Sequence, residues 1–451
     1  MANEPLTNAG FCVLLIFLFL TYSRIIDFKL AALHLPLLTS VAAFVLALLS
    51  GRIQSAFSSR IGVCLAAFTV WMILSIPFSV WRGGSVAIFE DMWGKSFLAF
   101  VMVTALVRTV RQCRGVMYTI ALGVLVTCLM AFYFRTTTED GRMGLPTGML
   151  TNPNDMAQVI LLGMPYWLFM ALRRGRVPFL RILAVICMLV MLIVLLKTGS
   201  RGGLMTFAAL SLVIFLFASM ANKLKLAAGL VLLVAICLPL LPQSLRDRYR
   251  TVYSDQVTTD LIQAHESTQE RYQLLITSLK LTAKHPLFGV GPGQFETAAA
   301  SYSKQSGAFA HWRETHNVYT QVSSEEGIPG ALFYIGALAY CFKELLSVRK
   351  MCRMSVALSG GSPWTTIHLP QASEISVMSS CLILSLLAFT LFGFFSSTAY
   401  HFFFPTLAGI IAAFGAAARQ SLTALRFQTE RDRGRVRMPP ARIGSRQTVM
   451  V

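Results

Sequence analysis

Charged side chains are scarce in this sequence. They make up 13% of the 451 residues, while hydrophobic residues make up 55%, and a typical soluble domain is about 25% charged. The mean hydropathy is +0.64. Because a soluble fold of this length has too little interior to bury so much apolar surface, we expect an integral membrane protein.

Two other patterns are missing. The apolar runs, such as 11–20 and 181–196, do not alternate with polar residues, which excludes a transmembrane barrel and predicts helices. The first eight residues contain Glu4 but no Lys or Arg, and no small-residue cleavage site follows. We therefore interpret the first apolar run as a retained span and not as a signal peptide.

The sequence also lacks paired cysteines and has few acidic residues. The nine cysteines include none between 242 and 327 and no CxxC pair, which excludes an internal disulfide in that segment and a CxxC metal site. Lys and Arg outnumber Asp and Glu by 39 to 20, giving a net charge of +19. Since these basic residues are not gathered in one soluble domain, they indicate cytoplasmic loops, and we expect no nucleic-acid partner.

The long apolar runs predict about twelve transmembrane helices. They are placed at 9–22, 30–49, 61–80, 96–107, 115–134, 156–172, 180–196, 203–220, 226–241, 328–346, 376–396 and 401–418. The fourth is short and is expected to extend towards the N-terminus. The predicted fold class is an all-α integral membrane protein.

Lys and Arg are concentrated in alternate loops. The basic set includes 108–114, 173–181, 343–353 and the tail, whereas the loops between them hold few basic residues. By the positive-inside rule, the basic loops and both termini are cytoplasmic. The segment 242–327 would then lie on the external side, in the periplasm if the cell has two membranes.

The predicted spans divide the chain into four parts. These are N-terminal membrane helices with about nine spans (1–241), an external loop (242–327), C-terminal membrane helices with about three spans (328–418), and a basic cytoplasmic tail predicted to be disordered (419–451). In the loop, Tyr272, Leu275, Ile276 and Leu279 share one face of a predicted amphipathic helix over 266–284. That helix is expected to lie at the membrane surface.

Two arginines at the predicted outer face could bind an anion. Arg201 lies in KTGSRGG, where glycines permit close approach and the following helix presents its N-terminal amides. The alternative is an interface arginine that reaches the headgroups. Arg271 lies at the start of the amphipathic helix, and its alternative is an ordinary solvated side chain.

His316 is the candidate proton acceptor, because it precedes a span at the outer face and histidine suits proton transfer near neutral pH. A structural role is the alternative, and His265, His285 and His311 are competitors. Asn317 and Tyr319 could hold substrate hydroxyls.

The motif TNPNDMAQ enters the sixth predicted span from outside. Asn152 or Asn154 could cap this helix, with Pro153 early in it, or contact a sugar. A metal site would have to be assembled from scattered residues: His311, Glu314, His316, Glu325 and Glu326. Because no recognised ligand spacing occurs, we expect no metal and no other cofactor.

Taken together, four motifs resemble the O-antigen ligase and polymerase superfamily. They are TNPNDMAQ (151–158), TGSRGG (198–203), HPLFGVGPGQF (285–295) after the helix of Arg271, and THNVYTQVSSEEGIPG (315–330). Their order and the long loop between the ninth and tenth spans also match. His316 and Gly327 reproduce the His-x10-Gly spacing of the ligases.

The resemblance implies a GT-C-like membrane glycosyltransferase in a bacterial inner (plasma) membrane, with its active site facing the periplasm. The donor would be a glycan on polyprenyl (undecaprenyl) pyrophosphate, and the acceptor another glycan or the lipid A-core. Arg201 and Arg271 would hold the pyrophosphate, and His316 would be the base of an inverting, metal-independent reaction.

Two alternatives to a ligase stay open. Arg201 is followed by Gly-Gly-Leu, one residue shorter than the ligases' Arg-x3-Leu pattern, which makes a polysaccharide polymerase with the same site residues a close alternative. A flippase or transporter for the same lipid is the second. That function predicts charged residues within the spans, and the predicted spans contain almost none.

Overall fold

A computed structural model describes most of the chain, and all statements below concern these residues. They are 4–27, 31–134, 137–138, 141–173, 177–224, 229, 243, 245–246, 259–305, 312–358 and 369–436. Fourteen α-helices occur within them. In chain order they are α1 Glu4–Ser23, α2 Leu35–Leu49, α3 Arg60–Ser75, α4 Arg82–Ile88, α5 Gly94–Leu106, α6 Val110–Phe134, α7 Pro153–Leu172, α8 Pro178–Lys197, α9 Arg201–Phe217, α10 Thr259–Lys284, α11 Phe295–Gln305, α12 Val318–Leu358, α13 Leu369–Phe392 and α14 Phe403–Val436. The predicted all-α class is confirmed for the described residues.

Eight of these helices are long and apolar enough to cross a membrane. They comprise Glu4–Ser23, Arg60–Phe78, Val110–Phe134, Pro153–Leu172, Pro178–Lys197, Val318–Ser355, Gln371–Phe392 and Phe403–Phe427. The helices α2 and α9 are apolar but shorter. The fourth predicted span corresponds to α5, which continues backward through a π-helical segment, Phe89–Trp93, into α4. The predicted ninth span, 226–241, lies outside the described residues apart from Gly229, so the count of twelve stays a prediction.

The helices pack together with α12 in contact with α3, α13 and α14. Aromatic rings link these helices: Phe68 meets Trp93 at 4.7 Å and Tyr334 at 5.5 Å between centroids, and Tyr334 meets Phe404 at 5.0 Å. Each such pair contributes about 0.5–1.5 kcal/mol beyond area burial. At the surface, α2 leaves Leu38 and Leu49 each 59% exposed, as expected of a surface solvated by lipid.

The amphipathic helix α10 begins at Thr259, earlier than the predicted residue 266. Its protein-facing side buries Ser278 and Leu281, and Leu281 packs in one apolar cluster with Val290. On the apolar face predicted from the sequence, which is not the side that packs on the protein, Tyr272 is 60% and Leu279 is 50% exposed. Contact of that exposed face with a membrane surface stays a prediction.

The helix α12 is broken at Gly327, where the backbone has φ 70° and ψ −174°. This conformation is open almost only to glycine. A Cβ at Gly327 would lie 2.2 Å from the carbonyl oxygen of Leu287, and the amide of Ile328 donates a hydrogen bond of 2.8 Å to the carbonyl of Pro286. The break therefore allows the loop that follows α10 to lie directly against α12.

The loop 285–294 is fixed to α12 by further backbone contacts. The amides of Val290 and Gly291 donate to the carbonyls of Ser324 and Glu325, each at 2.9 Å. A Cβ at Gly289, which has φ 68°, would lie 2.3 Å from the carbonyl of Glu325. The glycine-rich sequence thus serves a close backbone contact between the loop and the first part of α12.

Two buried acidic residues of α12 complete this junction. The carboxylate of Glu325 accepts hydrogen bonds from the amides of Gly293 (3.0 Å) and Phe295 (3.2 Å), at the start of α11. The carboxylate of Glu326 accepts from the hydroxyls of Ser75 (2.9 Å) and Tyr400 (3.3 Å). Both side chains, which the sequence placed only in a hypothetical metal site, instead bind protein groups.

Replacing Gly327 by Ala tests this junction. We expect Gly327→Ala to lower the free energy of unfolding by about 2–4 kcal/mol, because the backbone strain and the overlap with Leu287 add. The measurement is thermal unfolding in detergent, followed by transfer activity. The matched control is Gly336→Ala in the same helix, where a Cβ meets only Cys64 Sγ at 3.4 Å. Equal stability of the two variants would contradict the prediction.

Candidate active site

His316 lies immediately before α12, as predicted, and is half-buried. Its backbone has φ 51°, in a region where histidine is enriched among non-glycine residues. The His316 amide donates a hydrogen bond of 2.7 Å to the hydroxyl of Ser397. Two residues later, the amide of Val318 donates to the carbonyl of Gly393 at 2.7 Å. The loop 393–402, between α13 and α14, therefore fixes the position of His316.

The electrostatic surroundings of His316 keep its imidazole neutral. Burial, followed by the positive charges of Arg271 and then Arg313, lowers the pKa of His316 from 6.5 to about 4. Arg271 precedes His316 by 45 positions, so the fold brings these two predicted site residues together. A neutral imidazole can accept a proton.

Arg201 is the first residue of α9, and its position is set by the turn before it. Gly199 has φ 60°, and the hydroxyl of Ser200 caps the helix by accepting from the Gly203 amide at 3.1 Å. Gly202 packs against the last inter-helix loop, where an added Cβ would lie 2.8 Å from Phe395 Cβ. Ser397 of the same loop binds the His316 amide. The start of α9 and His316 therefore contact residues of this loop, Phe395 and Ser397, that are two positions apart.

Asn152 caps α7, as one of the two sequence interpretations predicted. Its side-chain oxygen accepts from the Asn154 amide at 2.9 Å, and Pro153 is the first residue of the helix. The side-chain oxygen of Asn154 accepts a hydrogen bond of 2.9 Å from Arg142 Nη2. A sugar contact by either asparagine stays a prediction.

Arg142 was not singled out by the sequence analysis. Besides its bond to Asn154, it donates from Nε to the carbonyl of Thr198 at 2.9 Å. It thereby links the TNPNDMAQ motif to the turn that presents Arg201. The only available signal was a basic residue in a predicted outer loop, and its spacing identifies neither partner.

Asn317 and Tyr319 both have protein partners. The side-chain oxygen of Asn317 accepts from the amides of Tyr319 (2.9 Å) and Thr320 (3.3 Å), which caps α12. The Tyr319 hydroxyl donates to the carbonyl of Thr390 at 2.7 Å. Their predicted contact with substrate hydroxyls would therefore have to use the remaining groups, the Asn317 amide and the lone pairs of the Tyr319 oxygen.

Among the competing histidines, His285 is exposed in the loop after α10. His311 lies outside the described residues, and the side chain of His265 does as well. Of the four, His316 is the one for which the structure shows an adjacent predicted site arginine.

Comparison with known proteins identifies the segment that carries these residues. Residues 183–335 match the family model described as O-Antigen ligase. This match supports the predicted relationship to the O-antigen ligase and polymerase superfamily. It covers 153 of the 451 residues (335 − 183 + 1) and contains Arg201, Arg271 and His316. No curated protein matches the chain.

The family match and the apolar helices point in the same direction. An O-antigen ligase domain on a bundle with eight candidate spans indicates a multi-pass membrane enzyme of the O-antigen ligase or polymerase type. The lipid bilayer and lipid-linked glycans are the partners that such a family suggests.

Proposed function

We propose that the protein transfers a glycan from a polyprenyl pyrophosphate to the hydroxyl of an acceptor sugar, as an inverting, metal-independent O-antigen ligase. Arg201 and Arg271 bind the donor pyrophosphate, and His316 is the general base. The reaction takes place on the periplasmic side of the inner membrane. The observation that carries the proposal is the proximity of Arg271 to His316, which pairs an anion-binding group with a neutral proton acceptor.

The leaving group explains the need for the arginines. When the bond between the sugar C1 and the pyrophosphate oxygen breaks, that oxygen gains negative charge. A guanidinium is always protonated and can bind phosphate through two parallel hydrogen bonds. Arg201 also lies on the first turn of α9, where the helix dipole favours an anion. Two such groups stabilise the departing charge in the role that a metal has in other transferases.

His316 acts on the other reactant. Its imidazole nitrogen accepts the proton of the acceptor hydroxyl while the hydroxyl oxygen forms the new bond to C1. Attack from the face opposite the leaving pyrophosphate inverts the anomeric centre. Because Arg271 is one cause of the low pKa of His316, the negative charge of a bound donor would raise that pKa and make the histidine a better base when substrate is present.

A reconstituted transfer assay tests the proposal. Purified protein is given a polyprenyl-pyrophosphate glycan together with either a lipid A-core acceptor or a second lipid-linked repeat. Transfer to the lipid A-core with inverted anomeric configuration, determined by NMR of the product, supports a ligase. Transfer only to the lipid-linked repeat identifies a polymerase with the same residues. Movement of the lipid across a bilayer without any new glycosidic bond would overturn the enzymatic proposal and favour a transporter.

The metal-independent mechanism gives a separate prediction. Treatment with a strong chelator such as EDTA is expected to leave the transfer rate unchanged, because two guanidiniums supply the charge stabilisation. The measurement compares initial rates before and after removal of divalent cations. Loss of activity that Mg²⁺ or Mn²⁺ restores would contradict the mechanism, even if glycan transfer itself were established.

A further inference from the structure

A second polar cluster lies at the same end of the bundle, outside the group of Arg201, Arg271 and His316. It is formed by Arg24 and Asp27 after α1 and by His401 and Phe402 before α14. Arg24 Nη1 donates to Asp27 Oδ2 at 3.2 Å, and the guanidinium carbon lies 5.8 Å from the centre of the Phe402 ring. His401 belongs to the loop 393–402, whose Ser397 accepts a hydrogen bond from the His316 amide.

The cluster contains buried polar atoms without hydrogen-bond partners. They are Arg24 Nε and His401 Nδ1, together with the hydroxyl of Ser23, the residue before Arg24. Leaving a buried donor unpaired costs about 1–3 kcal/mol, and such groups in folded proteins need an explanation. The side chains of Arg24 and Asp27 are 23% and 24% exposed, so a ligand can reach the edge of the cluster.

The backbone of Arg24 supports a ligand-binding role. Its φ is 51°, an unusual conformation for a side chain of this size. The Gly148 turn, with φ 78°, lies over the same place, since a Cβ there would be 3.3 Å from Asp27 Oδ2. The segments around Gly148 and Phe402 thus both contact the Arg24–Asp27 pair, although all three are distant in sequence. Strained residues of this kind cluster at functional sites.

The unpaired nitrogens of the cluster favour an anion. Asp27 engages one nitrogen of the guanidinium and leaves Nε directed elsewhere. The Arg24 guanidinium lies against the ring of Phe402, the residue next to His401, which places both side chains beside one ligand position. Burial and then the charge of Arg24 lower the pKa of His401 to about 4. An anion between them would accept hydrogen bonds from Arg24 Nε and, in the tautomer that carries its proton there, from His401 Nδ1.

We propose that Arg24 and His401 form a second anion-binding subsite, which takes a phosphate group carried by a sugar or by a lipid headgroup. The subsite shares the loop 393–402 with the candidate active site and would hold the acceptor or the lipid beside it. The existence of the subsite follows from the cluster itself. Only its use by an acceptor rests on the proposed function.

Phosphate binding by the full chain provides the test. The parent is the Arg201→Gln, Arg271→Gln double variant in phosphatidylcholine nanodiscs, so that phosphate held by the proposed donor site does not contribute. Inorganic phosphate is titrated by calorimetry. We expect saturable binding by this parent and an affinity at least about tenfold lower after Arg24→Asn or His401→Gln, because each removes a charge-assisted or buried hydrogen bond. Asparagine is chosen because it tolerates the left-handed backbone.

The control variant is Arg82→Asn, which removes an exposed arginine at the start of α4 and should leave the affinity unchanged. No phosphate binding by the parent, or equal affinity in all variants, would overturn the subsite. A failure of glycan transfer in the reconstituted assay leaves this result unaffected, so the two proposals fail separately.

A chemical measurement covers the case in which the variants do not fold. Inorganic phosphate should slow the modification of His401 by diethyl pyrocarbonate, read by peptide mass spectrometry, without slowing that of the exposed His285. Equal rates with and without phosphate would contradict the proposal.

Two competition experiments identify the source of the phosphate group. Loss of phosphate binding in phosphatidylglycerol nanodiscs identifies a lipid headgroup, and competition by glucose 6-phosphate alone identifies a sugar phosphate. If neither phosphatidylglycerol nor glucose 6-phosphate competes with inorganic phosphate, the proposal that the phosphate belongs to a lipid or a sugar is wrong.

Discussion

His316→Asn is expected to lower the glycan transfer rate by about 10²–10⁴-fold, the usual contribution of a general base. Asparagine cannot accept the proton, but it tolerates the φ of 51° that His316 adopts. It also leaves the backbone bond to Ser397 in place. Protein level and donor binding should therefore stay close to those of the unmodified chain, and His316→Ala should show the same loss of transfer with some added backbone strain.

The measurement is single-turnover transfer from a labelled polyprenyl-pyrophosphate glycan, with donor binding determined separately. His285→Asn is the matched control, since His285 belongs to the same predicted external segment but is exposed. We expect the control to transfer normally. Normal transfer by His316→Asn would remove this histidine from the mechanism, whereas loss of donor binding would indicate a structural role.

Local features of the site could be predicted from the sequence because they depend on short-range rules. Asn152 before Pro153 has the pattern of a helix start, and the structure places Asn152 at the cap of α7. The start of α12 at Val318 was not predicted in this way, because the apolar run begins only at 328 and the helix extends ten residues further into the polar segment. Capping preferences therefore suffice for the start of α7, whereas hydrophobic pattern alone does not give the start of α12.

The spacing of His316 and Gly327 was recognised by resemblance alone, and the structure gives it a physical cause. Gly327 must be glycine because Leu287 occupies the place of a side chain and because its φ is 70°. The ten residues between them form the stretch of α12 against which the loop 285–294 is hydrogen-bonded. The spacing therefore fixes the loop that follows the Arg271 helix relative to the histidine.

Contacts between distant segments could not be predicted from the sequence. The loop 393–402 carries no Lys, Arg, Asp or Glu and was not proposed to have a role, yet it contacts His316 through Ser397 and α9 through Phe395. The side of α10 that packs on the protein could not be predicted for the same reason: it is decided by the partner cluster around Val290, which periodicity within one helix does not reveal.

Arg271→Gln should have the second large effect, a fall in kcat/KM for transfer of about 10²–10³-fold, with weaker donor binding. It should also change the pH dependence in a defined direction. The neutral form of His316 is the active one, and Arg271 lowers the pKa of that histidine, which is about 4 in the folded protein. Removing the positive charge raises the pKa, so activity should begin to fall at a higher pH as the solution is acidified.

The pH profile of kcat/KM is the measurement, because it reports groups of the free enzyme. Burial remains the first cause of the low pKa, so the midpoint should move towards 6.5 without reaching it. Arg313→Gln is the matched control. It removes the charge with the smaller effect on the pKa of His316, so it should shift the midpoint less and leave donor binding unchanged. An unchanged acidic midpoint in Arg271→Gln would show that the two side chains are not coupled.

Arg271→Lys separates the charge of this residue from its geometry. Lysine keeps the positive charge, so the acidic midpoint should stay near that of the unmodified enzyme. It lacks the planar pair of donors that binds a phosphate in two places, so donor binding should be weaker. A normal pH profile with reduced affinity would assign the pKa of His316 to charge and the hold on the pyrophosphate to the guanidinium. Loss of both properties in the lysine variant would instead mean that Arg271 acts by packing α10 in place.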